Sequence, residues 1–211
     1  MVTSASDGYS QDWVGEAGLD IEGLGYCITL VRWVGPRKAL HRLGVSDAAI
    51  RTATWPEFCT QHGELEAAEF YGVTAAFVMG EHTALVEDLG WRGRLPEWTG
   101  PVSRGTEAVN VYLHSGSLKQ ELSIFRDGEQ LAFLDGDEPE VIYGGDEALA
   151  GRLIHLTHAA LKPGHEDDAV PQNFDDGQVD LLHVACGYCG LEPRVSDVSG
   201  PVLGVVMRLW P

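Results

Sequence analysis

A chain of 211 residues with 44 % hydrophobic and 22 % charged residues can bury a core of its own, and it has the composition of neither a disordered nor a membrane protein. Against 14 Lys and Arg stand 32 Asp and Glu, a formal charge of −18 that disfavours nucleic acid and anionic membranes and favours cations or a basic protein. The acidity is uneven: between Asp127 and Glu192 there are fifteen acidic residues and two basic ones, Arg152 and Lys162, a local balance of −13. Residues 1–12 lack the basic stretch and apolar run of a secretory signal, and no segment reaches the ~18 apolar residues that span a bilayer. Four dispersed cysteines, Cys27, Cys59, Cys186 and Cys189, read as free thiols in a reducing cytoplasm.

In chain order, Trp13, Val14 and Leu19 are the only anchors of a polar start, enough for a short helix after Ser10 behind frayed first residues. The run from Gly25 to Trp33 is β-branched and aromatic, as a buried strand requires. Pro36 opens a helix with Ala39, Leu40 and Leu43 at helical spacing, and Gly44 closes it. Thr54-Trp55-Pro56-Glu57 has the form of a capping box for a helix ending near Gly63, with 64–70 extending it or starting another.

Beyond this helix the hydrophobic period changes to alternation. Val73, Ala75, Phe77 and Met79 line one face of a strand, Gly80-Glu81 turns, and Thr83, Leu85 and Glu87 begin the return. Val109, Val111 and Leu113 mark another strand, Leu122, Ile124 and Arg126 the next, and Asp127-Gly128 turns into Leu131 and Phe133. Short links between alternating strands predict an antiparallel meander. Asp146 caps a helix with Leu149, Leu153, Leu156 and Ala160 on one stripe; 162–176 is a polar loop; 179–188 is a second helix closed by Gly190. The segment 202–209 alternates as a final strand.

The block Val86-Glu87-Asp88-Leu89-Gly90-Trp91-Arg92-Gly93, then Ser103-Arg104-Gly105-Thr106, then Asp127-Gly128-Glu129, resembles an uncharacterised actinobacterial family of unknown function, in which comparable segments recur in this order. Tyr26-Cys27-Ile28-Thr29-Leu30-Val31-Arg32 and Leu40-His41-Arg42-Leu43-Gly44 are similar to the same family's opening elements. The resemblance touches about residues 24 to 150 and departs at Leu89, where Asn is frequent, and in the tail beyond Gly164. It implies no activity, cofactor or catalytic residue.

Cys186-Gly187-Tyr188-Cys189 has the spacing of a redox pair, but at the C-terminal end of a helix, where the dipole opposes a thiolate. With His155 and His158, three apart on a neighbouring helix, the same cysteines compose a tetrahedral zinc set, which His183 or His165 would serve as well. Core packing of Cys186 with half-exposed histidines is the competing reading. Glu87-Asp88 and Asp135-Gly136-Asp137-Glu138 offer oxygen ligands to a hard cation, yet neither follows the EF-hand pattern and both suit solvated turns. No nucleophile elbow, P-loop or dinucleotide fingerprint is present. Trp91, Arg92, Arg94, Trp98 and Arg104 form the one local basic and aromatic cluster, either a recognition surface or a loop whose tryptophans plug a sheet face.

These features predict an α+β fold in a single domain, 1–211. An antiparallel β-meander of about five to seven strands has helices packed on one face. A partly ordered start (1–23) precedes a sheet-centred body (24–160) and an acidic loop, helix and final strand (161–211). The function expected is non-catalytic: a cytoplasmic protein-interaction or immunity-like protein that meets another, basic protein without a cofactor. Its surface would draw on Trp91, Arg92, Arg94, Trp98, Arg104, Asp135, Asp137 and Glu138. The alternative is a small-molecule or zinc-dependent enzyme with its site between the sheet and the C-terminal helices, at His155, His158, Cys186 and Cys189.

Overall fold

The structure, a computed structural model, describes residues 13–19, 25–66, 71–88, 90–117, 119–160 and 179–208. Nine strands build one antiparallel sheet: β1 (Gly25–Arg32), β2 (Arg51–Ala53), β3 (Tyr71–Met79), β4 (His82–Asp88), β5 (Glu107–His114), β6 (Lys119–Arg126), β7 (Glu129–Asp135), β8 (Ile142–Gly144) and β9 (Val202–Arg208). Their spatial order is β2-β9-β3-β4-β1-β5-β6-β7-β8. The sheet is larger than expected because β2 and β8, three residues each, are too short for alternation to show in sequence. Both lie at the edges, where short strands discourage pairing with other chains.

Only β5 to β8 follow as a meander. β1 sits between β4 and β5, and β9 enters between β2 and β3, so the central and last strands are placed by long-range pairing. The central position explains why Gly25–Arg32 is apolar nearly throughout: a strand flanked on both edges and covered on both faces has no solvent side.

Among the described residues six helices flank the sheet: α1 (Trp13–Glu16), α2 (Pro36–Arg42), α3 (Trp55–Glu66), α4 (Pro96–Val102), α5 (Glu147–Ala159) and α6 (Leu181–Cys189). They pack on both faces, not on one. Ile28, Leu30, Val73, Ala84, Val86, Val109 and Leu122 meet Phe58 of α3, Leu153 of α5 and Val184 and Ala185 of α6. Their strand neighbours Val31, Ala76, Leu85, Ala108 and Phe125 point the opposite way and meet Ala39 and Leu40 of α2 and Val102 of α4. The helical stripe of residues 36–43 is the same from sequence whichever face it covers, so the side was not legible there.

Local chemistry sets the element ends. The Asp146 carboxylate accepts the Leu149 amide (2.8 Å) at the start of α5, and Asp180 accepts the amides of Leu182 (3.0 Å) and His183 (3.2 Å) at the start of α6. Gly190 ends α6 in the left-handed conformation at φ 67°. The box before α3 is closed from one side: the Glu57 carboxylate takes both the Thr54 amide (2.8 Å) and its hydroxyl (2.9 Å), and α3 runs through Gly63 to Glu66. Asp127 and Gly128, both at positive φ, make the tight turn that joins β6 to β7. The expected frayed start and the polar loop at 162–176 lie outside the described residues.

Removal of the α5 cap in Asp146→Ala is expected to cost about 1 kcal/mol of stability, read as a lower urea midpoint at unchanged slope.

Candidate functional site

The strand register lines up one row of side chains on the face covered by α2 and α4. Thr74 of β3 pairs with Glu87 of β4, Glu87 with Cys27 of β1, Cys27 with Tyr112 of β5, Tyr112 with Glu121 of β6, and Glu121 with Asp135 of β7. A second row, Thr29, Asn110, Ser123, Phe133 and Tyr143, lies beside it. Polar residues therefore occupy one end of a face whose other end is apolar. Glu87 and Glu121 are buried, so each carboxylate requires partners where it lies.

Those partners come from the loop after β4. Glu87 accepts the amide (3.2 Å) and Nε (3.2 Å) of Arg92, the amide of Gly93 (2.6 Å) and the thiol of Cys27 (3.4 Å). Arg92 also donates to the Thr74 hydroxyl (3.1 Å), and its guanidinium lies 4.4 Å from the centre of the Trp98 ring. Asn110 ties the row together by donating to Thr29 Oγ1 (2.9 Å) and the Ile28 carbonyl (3.3 Å). The loop lies close to the sheet because Gly90 and Gly93 have no side chains. A Cβ on Gly93 would stand 2.5 Å from Asn110 Nδ2, and one on Gly90 would stand 2.4 Å from Glu87 Oε2. Pro96 then starts α4, and the Thr99 hydroxyl donates to the Gly93 carbonyl.

Arg94 completes the row from the same turn. It grips Glu121 with two parallel bonds, Nε to Oε2 (2.7 Å) and Nη2 to Oε1 (2.6 Å), while its guanidinium stands 4.9 Å from the centre of the Tyr112 ring. Lys119 adds a third contact to Glu121 (3.0 Å) and reaches Asp135 (4.0 Å).

Past Arg94 the lid ends and the sheet face opens into a groove of about 670 Å³, lined by Arg94, Leu95, Glu121, Ser123, Gln130 and Phe133 with Tyr143 at its far side. Phe133 and Tyr143 are tilted neighbours, with ring centroids 6.0 Å apart. Tyr143 donates its hydroxyl to Glu138 (2.7 Å), a bond that raises the phenol's pKa, and it is half exposed. Ser123 accepts from Gln130 (3.3 Å). This surface can hold an extended chain through aromatic contact and charge.

The structure distributes the sequence-predicted residues unevenly. Arg92 is 6 % exposed and committed to Glu87, so with Trp98 it belongs to the plug; Trp91 is half-buried beside it. Arg94 walls the groove and Glu138 reaches it through Tyr143, while Asp135 lies beside it as the strand partner of Glu121. Asp137 is exposed in the turn between β7 and β8, and Arg104 is exposed in the turn after α4. Glu87 and Asp88 are no solvated turn: they are the buried last residues of β4. Glu121, Tyr112, Asn110, Phe133 and Tyr143 were missed. The available signal was the polar residue repeating at every second position of otherwise apolar strands.

His155 and His158 are exposed on α5, whereas Cys186 faces the core and Cys189 is half-buried at the end of α6. Among the described residues no group of three or more His, Cys, Asp or Glu side chains is placed to hold a metal ion. The space between the sheet and these helices is filled by Leu153, Val184, Ala185 and Cys186. Burial pushes the thiols of Cys27, Cys59 and Cys189 up, Cys59 to about 12, with Glu87 acting in the same sense on Cys27, Asp88 on Cys59 and Cys186 on Cys189.

No described helix is long and apolar enough to cross a membrane. Over residues 1–171 the chain matches the model of a family of unknown function, DUF6461, and it belongs to that family. No curated protein and no solved structure matches it. The match stops short of α6 and β9, although β9 lies inside the sheet.

Glu87→Gln leaves Arg92 buried without its counter-charge and is expected to lower stability by about 3 kcal/mol in urea unfolding. In the native protein at pH 8 all four thiols are expected to react slowly with a disulfide reagent, because they are buried or protonated, and to react at once in denaturant.

Proposed function

We propose that this DUF6461 protein is a non-catalytic interaction protein of the bacterial cytoplasm that holds a basic segment of a partner protein in the groove over β6, β7 and β8. The observation that carries the reading is the make-up of that groove. The cation of its lining, Arg94, is already paired with Glu121, and Lys119 beside it lies between Glu121 and Asp135. Its rim adds exposed acids in the turn between β7 and β8, namely Asp137, Glu138 and Glu140. An arriving lysine or arginine therefore meets net negative charge beside two aromatic rings, along which its aliphatic stem can lie.

The groove presents paired carboxylates, a hydroxyl that accepts from a side-chain amide, and ring faces, a set suited to recognition. The wider acidity of the chain after Asp127 supports the same partner, since like-signed charge around a groove steers a basic ligand towards it.

With the protein as bait, specific partners are expected to be retained at low salt and released as ionic strength rises past the point where surface charges are screened. Tyr143→Ala is expected to weaken binding of a recovered partner about tenfold, as loss of an aromatic anchor does. Recovery of no specific partner, or retention unaffected by both salt and Tyr143→Ala, would overturn the reading.

A further inference from the structure

A second site lies at the opposite end of β1, apart from the groove. Arg32, the last residue of β1, has its guanidinium 4.0 Å from the centre of the Trp33 ring. Its Nε is shut off from water without an acceptor, and among the described residues no carboxylate pairs with it. The acids around it are already engaged. Glu107 accepts from Arg126 (2.7 Å) and from the Tyr188 hydroxyl (3.0 Å), Asp127 accepts the Gly105 amide (2.7 Å), and Glu81 accepts the Trp33 indole N–H (3.2 Å). Arg32 is thus an uncommitted cation in a chain with an excess of acids.

Trp33 is displayed at some conformational cost. It is 68 % exposed and sits at φ 54°, a left-handed conformation that a bulky side chain adopts rarely, held there by the hydrogen bond its amide donates to the Glu81 carbonyl (2.9 Å). Between these two side chains, the paired Glu107 and Arg126, and the turns of Gly105, Thr106 and Asp127 opens a pocket of about 230 Å³. A planar guanidinium beside an exposed indole is suited to a planar anion on a carrier that can rest against the ring. Glu81, Glu107 and Asp127 nearby repel a dianion such as phosphate more strongly than a singly charged carboxylate.

We propose that this pocket binds a carboxylate, paired with Arg32, whose carrier packs on Trp33. Two sources supply that chemistry, a chain terminus or small acid on one hand and the side chain of an acidic residue on the other, and the test separates them. Amide, indole and arginine Nε–H cross-peaks of the 15N-labelled protein are followed as N-acetylglycine, or a short terminally blocked peptide containing glutamate, is added. Saturable shifts of the Trp33 indole and Arg32 Nε–H peaks are expected with at least one probe, at a dissociation constant on the order of 1 mM. The probe that saturates first identifies the source.

N-acetylglycinamide, uncharged and of similar shape, is expected to give no saturable shift, and inorganic phosphate a weaker one than the carboxylates. Arg32→Gln should abolish the response. Arg32→Lys, which keeps the charge and loses the fork, should weaken it several-fold, and Trp33→Gly, which relieves the backbone, should weaken it while the remaining spectrum stays dispersed. The proposal fails if neither carboxylate saturates, if the amide or phosphate binds as well, or if folded Arg32→Gln responds like the parent.

Discussion

The Glu87 carboxylate is 3 % exposed inside a sheet, and an ionised group in that position left without donors would cost several kcal/mol. The segment immediately after β4 supplies what it needs: two amides and a guanidinium, from Arg92 and Gly93. A carboxylate with these donors in fixed directions admits one course for the loop, and the two glycines allow the backbone to take it. The position of α4, and with it the covering of this end of the sheet, depends on that course. Apolar fillings are often as stable as the buried ion pairs they replace, so what the pair adds beyond burial is the fixing of position.

That positioning explains how one short turn serves two purposes. The segment Arg92–Arg94 is a 3-10 turn, with about three residues per turn, so the side chains of Arg92 and Arg94 point in different directions from a common backbone. Arg92 reaches back to β3 and β4, and Arg94 reaches across β5 to β6. The first contact is buried and anchors the lid. The second emerges at the margin, where the polar row leaves the lid and becomes the wall of the groove.

Much of this architecture was legible in residues whose chemistry is local. Gly25–Arg32, Asp127-Gly128, Asp146 and Gly190 announce a strand, a turn, a helix start and a helix end, and each is observed as such. The order of the Val86–Gly93, Ser103–Thr106 and Asp127–Glu129 segments correctly pointed to a family of unknown function. Pairing across the sheet was less legible, because which strand lies beside β1 depends on contacts 60 to 85 residues apart, as between Cys27 and Glu87 or Tyr112. Glu87 was ambiguous for the same reason. Beside Asp88 and Gly90 it has the composition of a turn, and only the register shows it facing Cys27 inside the sheet. The Arg32-Trp33 pocket was not legible because the turns that complete it, at Gly105, Thr106 and Asp127, are distant in sequence and because an unengaged arginine cannot be recognised until its neighbours' partners are known.

The groove and the buried row are consecutive parts of one ladder, and that continuity bears on how a partner would be held. Tyr112 and Glu121 are fixed by strand pairing on both sides, and Arg94 is held by two bonds and an aromatic face before any ligand arrives. Side chains ordered in advance lose little freedom on binding, so even a modest contact area can be specific. The opposite side of the groove is different: β8 is a three-residue edge strand, and Tyr143 is half exposed and tethered by a single surface hydrogen bond. For a bound partner, discrimination by geometry would therefore belong to the Arg94 wall and adjustment to different side chains to the Tyr143 rim. A perturbation of the buried Glu87 pair should accordingly reach the groove through Arg94 and leave Tyr143 where it is, since the two sides depend on different elements of the fold.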